Sequence, residues 1–455
     1  MEMEAGGPTS EKRMRVGEDE GGGADRISDL SDAVLGEIIS LLPTKDGART
    51  RILASRWRHI WCSAPLNLDC RGLARCGELA AAVISHILAS HQGPGRRFCI
   101  RHGFRGYRAA TVDSWLRSPA LDNLEEFNLH CRRQHQVMLP VLSEPFFRFS
   151  KTLIVATIER CHLSDNTVQG LQFLQLKQLS LEMVTISECS LQRMIAGCPA
   201  LECLLISYCS GFRRITINSV SLRSIGVRAE CRWASERKFE KLIIENAPSL
   251  EKLLHLDWST GLDMSVVFAP KLETLRCSSE PYNIILLGST VIERLRINTL
   301  ATVVSSIKIL AIALDILSLD IVIGLMRCFP CLEKLYIQSF ETGPNNLWRR
   351  KHQNLVRCHD IRLKKIVLEQ YYGVMSQVSF VTFFVLHAKV LESMTLRIEA
   401  RNSNEEFFAE HRKKLQLEKR ASRGARFKFT TNKCFRNIWD IKDFDDLDLA
   451  DPFTC

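Results

Sequence analysis

The sequence offers no uninterrupted apolar run long enough to cross a bilayer. The longest candidate, IKILAIALDILSLDIVIGLM at residues 307–326, is broken by Lys308, Asp315 and Asp320. Each Asp at mid-membrane would cost roughly 2.5–3.5 kcal/mol, so the stretch reads as a buried strand followed by a helix, and no membrane contact is expected. The first residues, MEMEAGGPTSEKRMRVGEDEGGGADR, lack the apolar core of a secretory signal, and residues 1–24 are expected to be disordered. Catalytic signatures are missing too: HExxH, GxSxG, GxxxxGK[ST], and GxGxxG after a strand. The twelve histidines are dispersed, and neither His59 nor His359 has ligand-spaced companions. No catalytic residue, metal site or cofactor is expected.

Cysteine, by contrast, is plentiful. The seventeen are odd in number, scattered, and mostly set in apolar runs such as LECLLISYC. Without a secretory signal they read as reduced thiols behaving as small hydrophobes, which places the chain in the cytosol or nucleus. The close pair Cys328 and Cys331 has no second pair, so packing explains it better than metal. The net charge of +10 is densest at residues 96–108 and 412–428, where aromatic residues are interleaved as in single-strand binders. An acidic tail follows the second cluster, with Asp440, Asp443, Asp445, Asp446, Asp448 and Asp451. Internal charge balance or a solvated face accounts for the basic clusters at least as well as nucleic acid.

A recurring L-x-x-L-x-L, with interchangeable aliphatics, organises the chain. It begins at Leu124, Leu176, Leu201, Leu222, Leu272, Ile292, Leu314, Leu332, Leu363 and Leu391, with weaker copies at Leu153 and Leu250. Most spacings fall within the roughly 20–29 residues of leucine-rich repeats. Several copies are introduced alike, as CPALE, APSLE, APKLE and FPCLE, with Pro199, Pro248, Pro270 and Pro330 just ahead of each strand. One such unit cannot bury its apolar side alone; stacked units form a solenoid with one continuous core.

Side chains alternate across a strand, so the positions between anchors are expected to face outward. They include Arg228, Lys252, Arg276, Arg294, Arg296, Lys334, Lys365 and Arg397, against Asp320 and Glu369. Two readings are open: a solvated charged face, or a groove selecting an acidic segment of a partner. On the second, Arg228, Arg276, Arg294, Arg296, Lys334 and Arg397 are the candidate target-binding residues.

Upstream, residues 25–62 read DRISDLSDAVLGEIISLLPTKDGARTRILASRWRHIWC. Ser31 is placed to cap a helix, with Asp32 in its first turn and Pro43 ending it. Leu53, Trp57, Ile60 and Trp61 fall at i, i+4, i+7 and i+8, one face of a second helix starting near Lys45. So many large apolar groups in under forty residues cannot make a good core unaided, so part of this face should meet another surface.

This stretch resembles the F-box of plant F-box/leucine-rich-repeat proteins. The match runs through Asp25–Leu30, Asp32, Val34, Leu35, Ile38, Leu42–Asp46, Leu53 and Arg56–Trp61; Ser31, Gly47 and Ala54 depart from the pattern. Gly47 would cost about 1 kcal/mol of helix propensity. Farther on, LKKIVLEQY, FFVLHAKVLE and LESMTLRI resemble the FBD module closing many of these proteins. A final helix is expected from the capping box Ser403-x-x-Glu406, with Phe408, His411 and Leu415 on one face.

The resemblance implies an α/β chain: a short helical F-box, a leucine-rich-repeat solenoid with a curved parallel sheet, and an α+β FBD-like cap. The expected boundaries are F-box 25–65, connector 66–122, repeats 123–354, FBD-like module 355–428 and acidic tail 429–455. It further implies a non-catalytic receptor subunit of an SCF-type (cullin-RING) ubiquitin ligase, in which the F-box docks a Skp-type adaptor and the repeats hold a target protein. Leu30, Val34, Leu35, Ile38, Leu42, Pro43, Leu53 and Trp57 would then lie at or just behind the adaptor interface, and Trp61 would anchor its helix to the following residues. A leucine-rich-repeat scaffold without a ligase role is the alternative.

Overall fold

A computed structural model describes residues 27, 29–70, 73, 77–102, 109–131, 141–142, 144–229, 239–257, 261–278, 284–299, 303–341, 361–431, 447 and 449–453. Three helices lead the chain: α1 (Asp32–Ser40), α2 (Thr44–Arg49) and α3 (Ser55–Ser63). The strands that follow build one long parallel sheet, fourteen strands among the described residues, from Leu66–Asp69 to Arg426–Thr430. From Cys203–Ser207 onward its order is Ser224–Arg228, Lys252–His255, Thr274–Ser278, Ile309–Ile316, Lys334–Glu341, Lys365–Leu368 and Ser393–Arg397.

Sequence neighbours pair in register because each repeat begins the same way. The amide of Leu201 closes a turn on the carbonyl of Cys198, as do Leu250 on Ala247, Leu272 on Ala269 and Leu332 on Phe329. Proline therefore sits at the second position of each turn, where its fixed φ is preformed. The Glu after each anchor leucine pairs with a base in the same position of a neighbouring repeat: Glu202 with Lys177 (3.4 Å), Glu251 with Arg223 (3.0 Å), Glu273 with Lys308 (2.7 Å) and Glu333 with Lys364 (3.0 Å). These pairs are exposed and add little stability; what they specify is register.

Anchor side chains point into one core, for example Leu201, Leu204 and Ile206, or Leu332, Leu335 and Ile337. The other wall of that core is a six-stranded sheet of return segments, running from Arg214–Asn218 to the hairpins Ile284–Leu287, Thr290–Glu293 and Arg296–Thr299. Two of the expected repeat copies are corrected here. The copy at Ile292 belongs to this second sheet. The repeat after Leu272 is anchored by Ile307, Leu310 and Ile312, while Leu314, Leu317 and Leu319 turn the corner into the helix Leu319–Cys328. Both registers satisfy the same spacing, and all six residues are buried, so the pattern could not choose between them. The apolar stretch 307–326 is indeed strand then helix, and no helix among the described residues is long and apolar enough to span a membrane.

The helix after the strand Ser393–Arg397, Glu405–Lys414, starts one residue later than expected. Asn404, not Ser403, is the cap, accepting from the amide of Phe407 at 2.7 Å. His411 of that helix meets the Tyr371 hydroxyl at 2.9 Å. Gly373, at φ +75°, leaves the space, since a β-carbon there would lie 2.2 Å from His411 Cε1.

Candidate functional site

Two surfaces carry the candidate residues, and the first is formed by the helices α1 to α3. Ser31 Oγ accepts from the Val34 amide at 3.4 Å, and Arg56 ties the start of α1 to α3 through Asp32 at 2.7 Å. Leu35, Ile39 and Ile60 form a small core, edged by Leu30, Trp57 and Trp61. Leu35 is only 1% exposed, so it lies behind this surface and not on it. The open side carries Val34 (46% exposed), Ile38 (45%), Leu42 (38%) and Leu53 (66%), with Leu41 and Ile52 more exposed still. No other twenty-residue stretch among the described residues leaves as many large aliphatics in water. Pro43 is exposed as well, and caps α2.

Leu53 is not on one helix face with Trp57. After α2 a 3-10 turn runs Thr50–Ile52, and Ala54 is fully extended at φ −161° before α3 begins. Ala54 is the N-cap of α3 and has no side chain to accept a hydrogen bond. The break frees Leu53 from the helix axis and turns it outward.

This unit is clamped to the first strand. Thr44 Oγ1 donates to the Asn67 carbonyl at 3.0 Å and accepts from the Asp69 amide at 2.8 Å, while Asn67 Nδ2 donates to the Ser40 carbonyl at 2.7 Å. Arg96 forks onto both oxygens of Glu37 at 2.9 Å, holding that carboxyl below its usual range, and Arg97 pairs with Glu126 at 3.4 Å. Part of the basic cluster at residues 96–108 is thus spent on internal pairs. Trp61 packs edge-on against His91, 5.8 Å between ring centres.

The second surface is the outward face of the long sheet, and here several expectations change. Arg276 is fully buried: its Nη2 donates to the Leu256 carbonyl at 3.2 Å, and burial, with Arg228 nearby, draws the guanidinium down to about 9. Lys252 is 6% exposed. Arg294 and Arg296 are not on this sheet at all; they belong to the return hairpins, where Arg296 lines a surface depression together with Asp320. The register slip described above put all three in the wrong place. Arg228 lies half-buried over the Tyr208 ring at 5.8 Å, and Arg397 pairs with Glu369 at 2.5 Å. Lys334 is paired with Asp451 of the C-terminal tail at 2.8 Å.

Sequence reasoning missed a second, separate apolar cluster on this outward face. Cys203, Leu205, Leu254, Leu256, Ile309, Ala311, Tyr336 and Val367 pack with Leu447 and Phe453 of the tail. The signal was present, since apolar residues occupy positions between anchors that alternation should leave polar. What covers them lies eighty or more residues downstream. Of the tail's acidic residues, Asp440, Asp443, Asp445, Asp446 and Asp448 lie outside the described residues, as does His359. Cys328 is buried and Cys331 half-buried, and no group of three or more potential ligands among the described residues could hold a metal ion.

A helical unit clamped to a parallel repeat sheet is the architecture of an F-box joined to leucine-rich repeats. Family comparisons agree in order along the chain: F-box domain at residues 27–69, the LRR repeats of FBD-associated F-box protein At5g56370 at 112–337, and FBD at 351–396. The chain is an F-box/leucine-rich-repeat protein with an FBD module. Among its relatives in Arabidopsis thaliana, F-box/FBD/LRR-repeat protein At5g56420 is 26% identical over 387 residues, covering 80% of this chain and 89% of the relative. Putative F-box/LRR-repeat protein At5g02930 is 30% identical over 210 residues, 44% of this chain and 41% of the relative. F-box/FBD/LRR-repeat protein At1g13570 is 27% identical over 245 residues, 50% and 52%. Against several of these relatives, the matched stretch spans about half of the relative's length.

Proposed function

We propose that this chain is the substrate-recognition subunit of an SCF-type ubiquitin ligase, working in the cytosol or nucleus. The F-box docks a Skp-type adaptor, and through it a cullin-RING assembly, while the repeat face holds a target protein for ubiquitination and proteasomal degradation. The observation that carries this reading is the F-box surface: Val34, Ile38, Leu42 and Leu53 stand in water around a core too small to use them. Exposed aliphatics of this density are the kind of patch that another protein covers. The chain's own contribution to the chemistry is proximity, raising the effective concentration of target lysines near the recruited conjugating enzyme; none of its residues has to touch the reacting bond.

The test is co-purification of the full chain with a Skp-type adaptor and cullin, comparing wild type with Ile38→Asp/Leu53→Asp. Both residues are exposed, so the double variant should fold as wild type by circular dichroism and lose the adaptor. Wild type that folds but captures no adaptor would turn the reading to a repeat scaffold without a ligase role.

A further inference from the structure

The outward face of the long sheet is not bare. Leu447, Asp451 and Phe453 are all buried, at 0%, 7% and 2% exposure, although they belong to a charged C-terminal tail. The tail is read by backbone and side chain together. Lys252 Nζ and Ser224 Oγ donate to the Leu447 carbonyl at 2.8 and 3.4 Å. Farther along, Lys334 Nζ and the Tyr336 hydroxyl converge on one oxygen of Asp451, each at 2.8 Å. Phe453 packs on the Tyr336 ring, 5.3 Å between centres.

The sheet is shaped for these three side chains. Gly226 occupies an outward position where a β-carbon would stand 3.0 Å from Leu205 Cδ1 and 3.3 Å from Leu447 Cδ2, so its absence makes the slot for the leucine. Around the carboxylate the face is positive: Lys365 lies over the Tyr336 ring at 5.2 Å, and burial together with Lys334 and Arg397 lowers its affinity for a proton. Such a site favours an anion, because an acidic guest relieves the repulsion between Lys334 and Lys365, beside which Arg397 is already paired with Glu369.

We propose that this groove, from the strand Cys203–Ser207 to the strand Lys365–Leu368, is the target-binding site and recognises an acidic peptide segment. The segment carries a leucine, an aspartate four residues later and an aromatic residue two beyond that. The chain's own Leu447, Asp451 and Phe453 hold this place in cis as an intramolecular competitor. The proposal rests on the reading of the repeat face as the target-binding surface. Every contact of the tail is one that a foreign peptide of the same pattern can make, and tethering gives the tail a high local concentration that a target must overcome.

The experiment uses full-length protein and a fluorescein-labelled peptide of residues 444–454, followed by anisotropy. The variant Leu447→Asp/Phe453→Asp, which vacates the groove, is expected to bind the peptide on the order of tenfold or more tightly than wild type. Adding Lys334→Glu should abolish that gain, and a peptide carrying Lys in place of Asp451 should restore it. As a milder release, Asp451→Asn should give an intermediate gain if the double variant does not fold. Equal peptide binding by wild type and every folded tail variant would overturn the proposal, leaving the tail as a permanent cover of the apolar strip. Adaptor capture is measured on the same samples. Peptide binding without adaptor capture would sustain the groove while removing the ligase reading, and adaptor capture without peptide binding would do the reverse.

Discussion

Gly47 and Trp61 are in contact so close that a β-carbon on the glycine would fall 2.6 Å from ring carbon Cζ3 of the tryptophan. The helix-propensity penalty of Gly47 is therefore the condition for bringing α2 against α3. Gly47→Ala should displace the Trp61 ring from its place beside His91 and destabilise the protein by about 1–3 kcal/mol. Chemical denaturation with tryptophan fluorescence would detect both effects; an unchanged midpoint and spectrum would show that the ring has room to move.

The two faces of α1 should separate stability from binding. Leu35→Ala removes a buried member of a small core and should cost about 2–5 kcal/mol. Ile38→Ala, three residues on, should change stability by no more than about 0.5 kcal/mol and instead weaken adaptor capture. Melting temperature and pull-down on the same two variants decide it. A large stability loss at Ile38 would mean that its exposed position is misjudged.

Ala54 leaves α3 without a side-chain cap. Ala54→Ser supplies an acceptor for the first turn and should raise stability by roughly 0.5–2 kcal/mol. The gain is read as a shift in denaturation midpoint at constant slope.

His255 occupies an anchor position that other repeats fill with an apolar side chain, and neither ring nitrogen finds a hydrogen bond. Burial, helped by Arg276, pulls it down to about 3 from an ordinary 6.5. The unfolded chain therefore takes up a proton below about pH 6.5 that the folded chain refuses until about pH 3. The proton-linked penalty this histidine imposes is absent above pH 6.5 and grows as pH falls toward 3, so stability declines over that range. His255→Leu should raise stability at neutral pH, by about 1–3 kcal/mol for removing an unsatisfied buried polar group, and flatten the acid limb of the stability profile. Melting temperature across pH 4 to 8 for both proteins tests this; parallel profiles would contradict it.

Much of this protein was legible in one dimension, and the reason is repetition. A motif such as CPALE states its structure locally: proline for the turn, leucine for the anchor and glutamate for the neighbouring repeat's base. Ser31, Pro43 and the tryptophan-rich α3 likewise announced the F-box. Reading failed where two registers of the same pattern were both buried, as at Ile307 and Leu314, and at the extended residue Ala54 that interrupts a helical spacing. It also failed at the cap Asn404, one residue beyond a plausible Ser403.

Sequence by itself determined that the chain stacks repeats and which residues anchor most of them, because that depends on turns and anchors within some thirty residues. Only the tertiary structure decided that Arg276 is buried, that Arg294 and Arg296 face away, and that Leu447 lies on Lys252 while Asp451 lies on Lys334 and Tyr336. Alternation tells which side of a strand a residue takes. Whether that side stays in water depends on segments brought over it from far along the chain.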